Sequence, residues 1–191
     1  MSRATSRLFP LFLKIEGRRV LVVGAGDVAE RKIADLADAG GEMYVVAPEA
    51  TVAVRALAEQ GAITWHARPF EEKDVDGAWL VIASTRDASV QRRASDAAES
   101  RRVFCVAVDD LPNGSAYSGA IVRRDPFTIA ISSSAEAPAL TRLLRELLEQ
   151  ILPEPNWILA AKELRAKWKK DGVPMASRFG ELVRAFKERS D

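Results

Sequence analysis

At 191 residues the chain can hold one dinucleotide-binding domain of roughly 110–150 residues plus an appendage, with a buried core. Its 28 Lys and Arg balance 27 Asp and Glu, which removes any general electrostatic case for nucleic acid or a membrane surface. The single cysteine, Cys105, excludes an intrachain disulfide framework and a cysteine-based zinc site.

The opening residues, Met1 to Pro10, lack the long apolar segment of a signal peptide, and no run approaches the roughly 20 residues of a membrane helix. A cytoplasmic protein is expected. Val20 to Val23 is a short β-branched strand followed by Gly24-Ala-Gly26-Asp-Val-Ala29, a glycine-tight turn into a helix. Gly24 suits the sharp turn, Gly26 lets backbone approach a pyrophosphate, and Ala29 permits close packing of helix on strand. The free N–H groups and partial positive charge of the helix start then face the phosphates. Apolar positions at Ala29, Ile33, Leu36 and Ala37 have helical spacing, and Gly40-Gly41 stops the helix.

Met43 to Ala47 reads as a second strand, Thr51 to Gln60 as a helix with Val54, Leu57 and Ala58 inward, and Ile63 to Ala67 as a third strand. Trp79 to Ser84 and Val103 to Val108 add two apolar strands around a helix over roughly Ser89 to Ser100. Strands that are apolar throughout and alternate with helices imply a parallel sheet covered on both faces. Cys105 lies inside one of them, a core-packing position.

Beyond Asp110 the pattern changes. Ser115 to Val122 and Phe127 to Ser132, joined by the turn Arg123 to Pro126, read as an antiparallel hairpin. A helix from Pro138 carries Leu140, Leu143, Leu144, Leu147, Leu148 and Ile151, a stripe that packs either on the parent domain or on a second subunit. Pro153-Glu-Pro155 stops it. Trp157, Ala161, Leu164 and Trp168 form a further stripe, broken at Asp171 to Pro174, and a last helix carries Phe179, Leu182, Val183 and Phe186. Residues 157 to 191 carry a net charge of +4, read either as a solvated helical face or as attraction for an acidic substrate.

Ligands of open α/β sheets lie beyond the carboxyl ends of the strands. The second strand ends in Ala47-Pro48, with Glu49 only afterwards, so no acid holds the usual ribose position; no arginine pocket for a 2′-phosphate is evident either, and NAD is favoured over NADP. Thr85 and Asp87 could reach ribose or nicotinamide, or serve as loop and helix-cap residues. Asp109, directly after an apolar strand, is the catalytic candidate, a carboxylate able to take the proton whose loss accompanies hydride removal. Asp110 caps the following turn, although the two aspartates could exchange roles. His66, the only histidine, sits within a strand and supports neither a triad nor a histidine zinc site, and no protein metal ligands are expected.

Taken together, Phe9-Pro-Leu-Phe-Leu13, Gly24 to Lys32, Ser95 to Ser100, Phe104 to Asp110 and Ile129 to Ser133 resemble the siroheme synthase family, in its precorrin-2 dehydrogenase/sirohydrochlorin ferrochelatase module. The resemblance implies an α/β fold: a Rossmann-like domain over 1–112, an antiparallel hairpin-plus-helix dimerisation segment over 113–152 and a C-terminal helical region over 153–191. It implies NAD-dependent oxidation of precorrin-2 to sirohydrochlorin in a homodimer, in some members followed by insertion of Fe²⁺ as a substrate. By motif position Asp109 matches the catalytic aspartate, Asp27, Val28, Pro48 and Glu49 match cofactor contacts, and Ser133 matches a serine facing the tetrapyrrole. Arg142, with Arg123, Arg124 and Arg145, could attract the carboxylates of that substrate. Ser134-Ala135 stands where the family usually has glycines, and Ala116 to Gly119 where a phenylalanine and a proline are common, which implies a differently shaped pocket. The methyltransferase module fused to some relatives is not expected, because the chain ends at Asp191. From a different class, a dimeric NAD(H)-sensing module would bind nucleotide without catalysis and signal through the C-terminal helices.

Overall fold

The computed structural model describes residues 8–125, 127–134, 136–152 and 155–187, which divide into one compact unit ending at Ser118 and another beginning at Gly119. In the first unit, β1 (Arg19–Val23), β2 (Glu42–Val46), β3 (Thr64–His66), β4 (Leu80–Ala83) and β5 (Phe104–Ala107) form a parallel sheet in the order β3-β2-β1-β4-β5. Three helices connect them: α1 (Asp27–Asp38), α2 (Val52–Glu59) and α3 (Ala88–Ser100). The expected Rossmann-like alternation is therefore present: β1 begins one residue earlier than expected, β2 is shifted back by one, and β3, β4 and β5 are a residue shorter at each end.

Both faces of the sheet are covered, which is why the strands are apolar without alternation. Val20, Val22, Val45 and Ile82 pack with Ala29 and Ile33 of α1 and Val54 of α2 on one side; Leu21, Val23, Val81 and Cys105 pack with Ala94, Ala97 and Ala98 of α3 on the other. Cys105 is buried as expected, and burial pushes its thiol up from the ordinary range. His66 is exposed on the short edge strand.

A 3-10 turn at Glu72–Val75, not expected from the strand and helix patterns, seats Val75 beside Phe70 in the second core layer. Its signal is the spacing Glu71-x-x-Asp74, a reciprocal capping pair. Burial opposes the charge of Asp74, but two hydrogen bonds from Arg68, at 2.9 and 2.5 Å, and one from the Glu71 N–H hold its carboxyl below the usual range.

The second unit contains the expected hairpin, β6 (Ala120–Arg124) antiparallel to β7 (Phe127–Ile131), then α4 (Pro138–Ile151), α5 (Pro155–Lys170) and α6 (Met175–Lys187). The first hairpin strand begins at Ala120 rather than Ser115. Ser115 and Ala116 are drawn instead to the Cys105 carbonyl, each donating its N–H at 2.9 Å. Arg123 and Arg124, read as turn, are ladder residues paired with Thr128 and Phe127, so the connection is shorter than expected; Pro126 lies outside the described residues. Gly119 enters β6 so close to β7 that a Cβ there would lie 2.3 Å from the Ile131 carbonyl oxygen.

The α4 stripe forms, with Leu140, Leu143, Leu144, Leu147 and Ile151 exposed among the described residues and Leu148 half-buried. In the C-terminal helices Ala160 and Trp168 are buried, and the Trp168 indole donates to Glu181. Phe179 and Val183 of the last predicted stripe are exposed and Leu182 is half-buried; the Phe186 side chain, with Pro153 and Glu154 of the predicted stop, lies outside the described residues.

Ser134 occupies one of the positions where glycine is usual in the resembling family, and its φ is +52°. An L-residue is strained there and glycine is not. Ser134→Gly is expected to raise stability by about 0.5–1 kcal/mol, the relief being partly offset by the freer unfolded chain. Thermal unfolding of the two proteins checks this; a lower melting temperature for the variant would contradict it. Ala135 lies outside the described residues.

Candidate nucleotide site

The strand order reverses between β1 and β4, and the carboxyl edge of the sheet at such a point is where ligands of open α/β sheets bind. Gly24 sits at this edge with φ +107°, and a Cβ on it would lie 2.1 Å from the Ser84 carbonyl oxygen. Its smallness is thus required by the neighbouring strand turn as much as by its own backbone. Gly26 differs: its φ is −84° and no protein atom lies within 4 Å of where its Cβ would be. The space beside it is open, as approach of a pyrophosphate requires.

Helix α1 starts directly after Gly26 with no side chain capping it. Its first-turn N–H groups therefore offer an anion site. Ala29 is fully buried against the sheet, while Asp27 and Val28 are exposed at the same turn. Gly24, Gly26, Asp27, Val28 and Ala29 thus stand together at this edge of the sheet. The acidic Asp27 and Glu30 also lie in the first turn.

A clasp not expected from the sequence joins this turn to the loop after β2. The Thr51 N–H donates to the Ala25 carbonyl at 3.0 Å, its hydroxyl donates to Glu30 at 2.7 Å, and the same hydroxyl caps α2 by accepting from the Val54 N–H. Pro48 and Glu49, just after β2, are exposed in the loop that this clasp fastens. The only hint in sequence is Thr51 at a helix start. Arg68, at the end of β3, is committed to Asp74.

After β4, the Asp87 carboxylate accepts from the Ser89 hydroxyl and the Val90 and Ser89 N–H groups, which lower its proton affinity. Thr85 accepts from the Asp87 N–H at 3.2 Å. Of the two roles open to these residues, loop and cap bonds are formed by both.

The aspartate pair at the end of β5 is divided by geometry. Asp110 accepts from Asn113 Nδ2 with both oxygens, at 2.9 and 2.8 Å, and so belongs to the turn. Asp109 is exposed, has φ +59°, and takes no side-chain hydrogen bond or ion pair among the described residues. β1, β4 and β5 are consecutive neighbours, so Asp109 and Gly24 stand about two strand spacings apart, roughly 10 Å, along one edge.

In the second unit, Ser133 is half-buried and its hydroxyl accepts from the Ala137 N–H and the Thr141 hydroxyl, binding the start of α4. Arg142 is exposed and paired at 2.8 Å with Glu146, whose carboxylate raises its pKa further. Arg145 pairs with Glu149, and Arg124 donates to the Glu149 and Leu152 carbonyls at the end of α4. These guanidinium groups have protein partners, so any acidic ligand would compete for them. Among the described residues no group of three or more His, Cys, Asp and Glu side chains could hold a metal ion, and no helix is long and apolar enough to cross a membrane.

Comparison with known proteins agrees with the fold. The siroheme synthases of Salmonella paratyphi A and Salmonella typhimurium are 42% and 43% identical to the chain over 171 and 175 residues. The alignments cover 88% of this chain but only 37% of those proteins. The solved structure of SirC, precorrin-2 dehydrogenase, superposes with a TM-score of 0.74 at 21% identity, covering 93% of this chain and 88% of that one, and so shares its fold. A family model for NAD(P)-binding domains matches residues 11–120, which contain the whole sheet, the glycine turn and Asp109. The chain belongs to this NAD(P)-binding family.

Proposed function

We propose that the protein is an NAD-dependent precorrin-2 dehydrogenase, forming sirohydrochlorin, with Asp109 as the general base. The observation that carries this is an exposed aspartate with no partner among the described residues, held in a left-handed conformation at the sheet edge that carries the nucleotide turn. Asp110, next to it, is already committed to Asn113. The likeness to siroheme synthases over 88% of the chain supports the substrate class.

The first-turn N–H groups of α1 would hold the pyrophosphate above Gly26, with Asp27 and Val28 beside it, Pro48 and Glu49 toward the adenosine side and Thr85 and Asp87 toward the ribose or nicotinamide side. NAD is the hydride acceptor when bound. NAD is preferred to NADP because Arg68, the cation at the end of β3, already pairs with Asp74. The substrate loses two electrons and one proton as the hydride, and the Asp109 carboxylate accepts the second proton. Ser133 and Arg142 contact the tetrapyrrole. Insertion of Fe²⁺ as a second substrate is included: the ring nitrogens bind the ion as two of them lose their protons, one to the Asp109 carboxylate and one to solvent. Purified protein supplied with precorrin-2 and NAD is expected to produce NADH and the sirohydrochlorin spectrum; absence of NADH would overturn the dehydrogenase reading, and absence of a spectral change on adding Fe²⁺ to sirohydrochlorin would overturn chelation.

The proposed active form is a cytoplasmic homodimer joined through α4, with the organisation 1–112, 113–152 and 153–191 assigned from the sequence. The exposed leucines of α4 support this. Light scattering is expected to give twice the chain mass, and Leu143→Lys with Leu147→Lys to give the monomer. An unchanged mass for that double variant would remove α4 from the interface.

A further inference from the structure

Val108 and Asp109 are the central residues of a turn from Ala107 to Asp110, closed by the Asp110 N–H on the Ala107 carbonyl at 3.5 Å. Val108 keeps an ordinary φ and Asp109 has φ +59°, the pattern of a type II turn, whose third residue is normally glycine or asparagine. A type I turn would relieve that strain. The two types differ chiefly by a flip of the central peptide, here the Val108 carbonyl with the Asp109 N–H.

That carbonyl is not free to flip. Gln91 of α3, only 5% exposed, donates its side-chain Nε2–H to the Val108 oxygen at 2.6 Å. On the other side of the same residue, the Val108 N–H donates to the Ala83 carbonyl at 2.9 Å, continuing the β4–β5 ladder. Gln91 also shares its helix stripe with the buried Ala94 and Ala98, a position where an apolar residue would pack without a hydrogen bond to satisfy.

We propose that Gln91 is a positioning residue that locks the Val108–Asp109 peptide and so keeps the Asp109 carboxylate aimed out from the sheet edge. This rests on the reading of Asp109 as the base. Gln91→Met preserves length and removes the donor, so the turn is expected to relax toward type I and redirect the carboxylate. The expected result is a fall in kcat of roughly tenfold to a hundredfold, the scale of a small misplacement of a catalytic group, with the KM for NAD unchanged. A structural readout accompanies it: the strong contact between the Asp109 amide proton and its own α-proton, the NMR signature of positive φ, weakens in the variant.

Unchanged kcat in Gln91→Met, with that contact retained, overturns the proposal while leaving Asp109 as the base. If Asp109→Asn also keeps full turnover, the catalytic reading itself fails instead. Should Gln91→Met not fold, Gln91→Leu removes the donor with a branched apolar side chain of similar size. For that variant too, a lower kcat with a weakened contact supports the lock, and full kcat with the contact retained overturns it.

Discussion

Asp109→Asn is expected to lower the turnover of precorrin-2 by about 10²–10⁴-fold, the range for loss of a general base, with NAD affinity unchanged. Asparagine keeps the side-chain shape and tolerates the left-handed region at least as well as aspartate, so at φ +59° the fold should be as stable as the parent. It cannot accept the proton. Asp109→Ala would lose turnover too, but would also place an ordinary L-residue in a strained conformation, at a cost of roughly 1–2 kcal/mol, which is why asparagine is the sharper test. Steady-state NADH formation and thermal unfolding, measured on the same samples, separate the two effects. Full turnover in Asp109→Asn would remove the carboxylate from the chemistry and leave the exposed side chain without a role.

The pattern of residues made the Rossmann-like unit legible because buried parallel strands are written as apolar runs and their helices as one-sided stripes. Val20 to Val23, Leu80 to Ala83 and Phe104 to Ala107 are of this kind. The sequence also located the glycine turn and the aspartate pair, since both immediately follow strands. What it could not resolve was the division of labour within the pair. The role of Asp110 in the following turn was readable, because Asn113 lies only three residues on, but the aspartates could still have exchanged roles, and the contact of Gln91 with Val108 across seventeen residues has no local signature. The start of the hairpin was misplaced for the same reason: Ser115 and Ala116 look like strand residues, yet the Cys105 carbonyl competes successfully for their N–H groups. The leucines of α4 were readable as a stripe, but whether they meet the parent domain or another subunit is not encoded in their spacing.

The two glycines of the turn, similar in sequence, are expected to fail in opposite ways. Gly24→Ala drives a Cβ to 2.1 Å from the Ser84 carbonyl oxygen and requires an L-residue at φ +107°. The neighbour is backbone at the end of β4, hydrogen-bonded to Val23, so it cannot simply rotate away. Overpacking and backbone strain together are expected to cost about 3 kcal/mol or more, and to push the turns after β1 and β4 apart. Gly26→Ala meets no protein atom within 4 Å and keeps an ordinary φ of −84°, so stability should change by less than about 1 kcal/mol. Its methyl group would instead occupy the space where the pyrophosphate approaches the first turn of α1, and NAD affinity should fall about 10–100-fold, equivalent to roughly 1.4–2.8 kcal/mol. Denaturant unfolding and calorimetric titration with NAD distinguish the outcomes. A stable Gly24→Ala protein would show that the switch point can yield, whereas undiminished NAD binding by Gly26→Ala would place the pyrophosphate away from this turn.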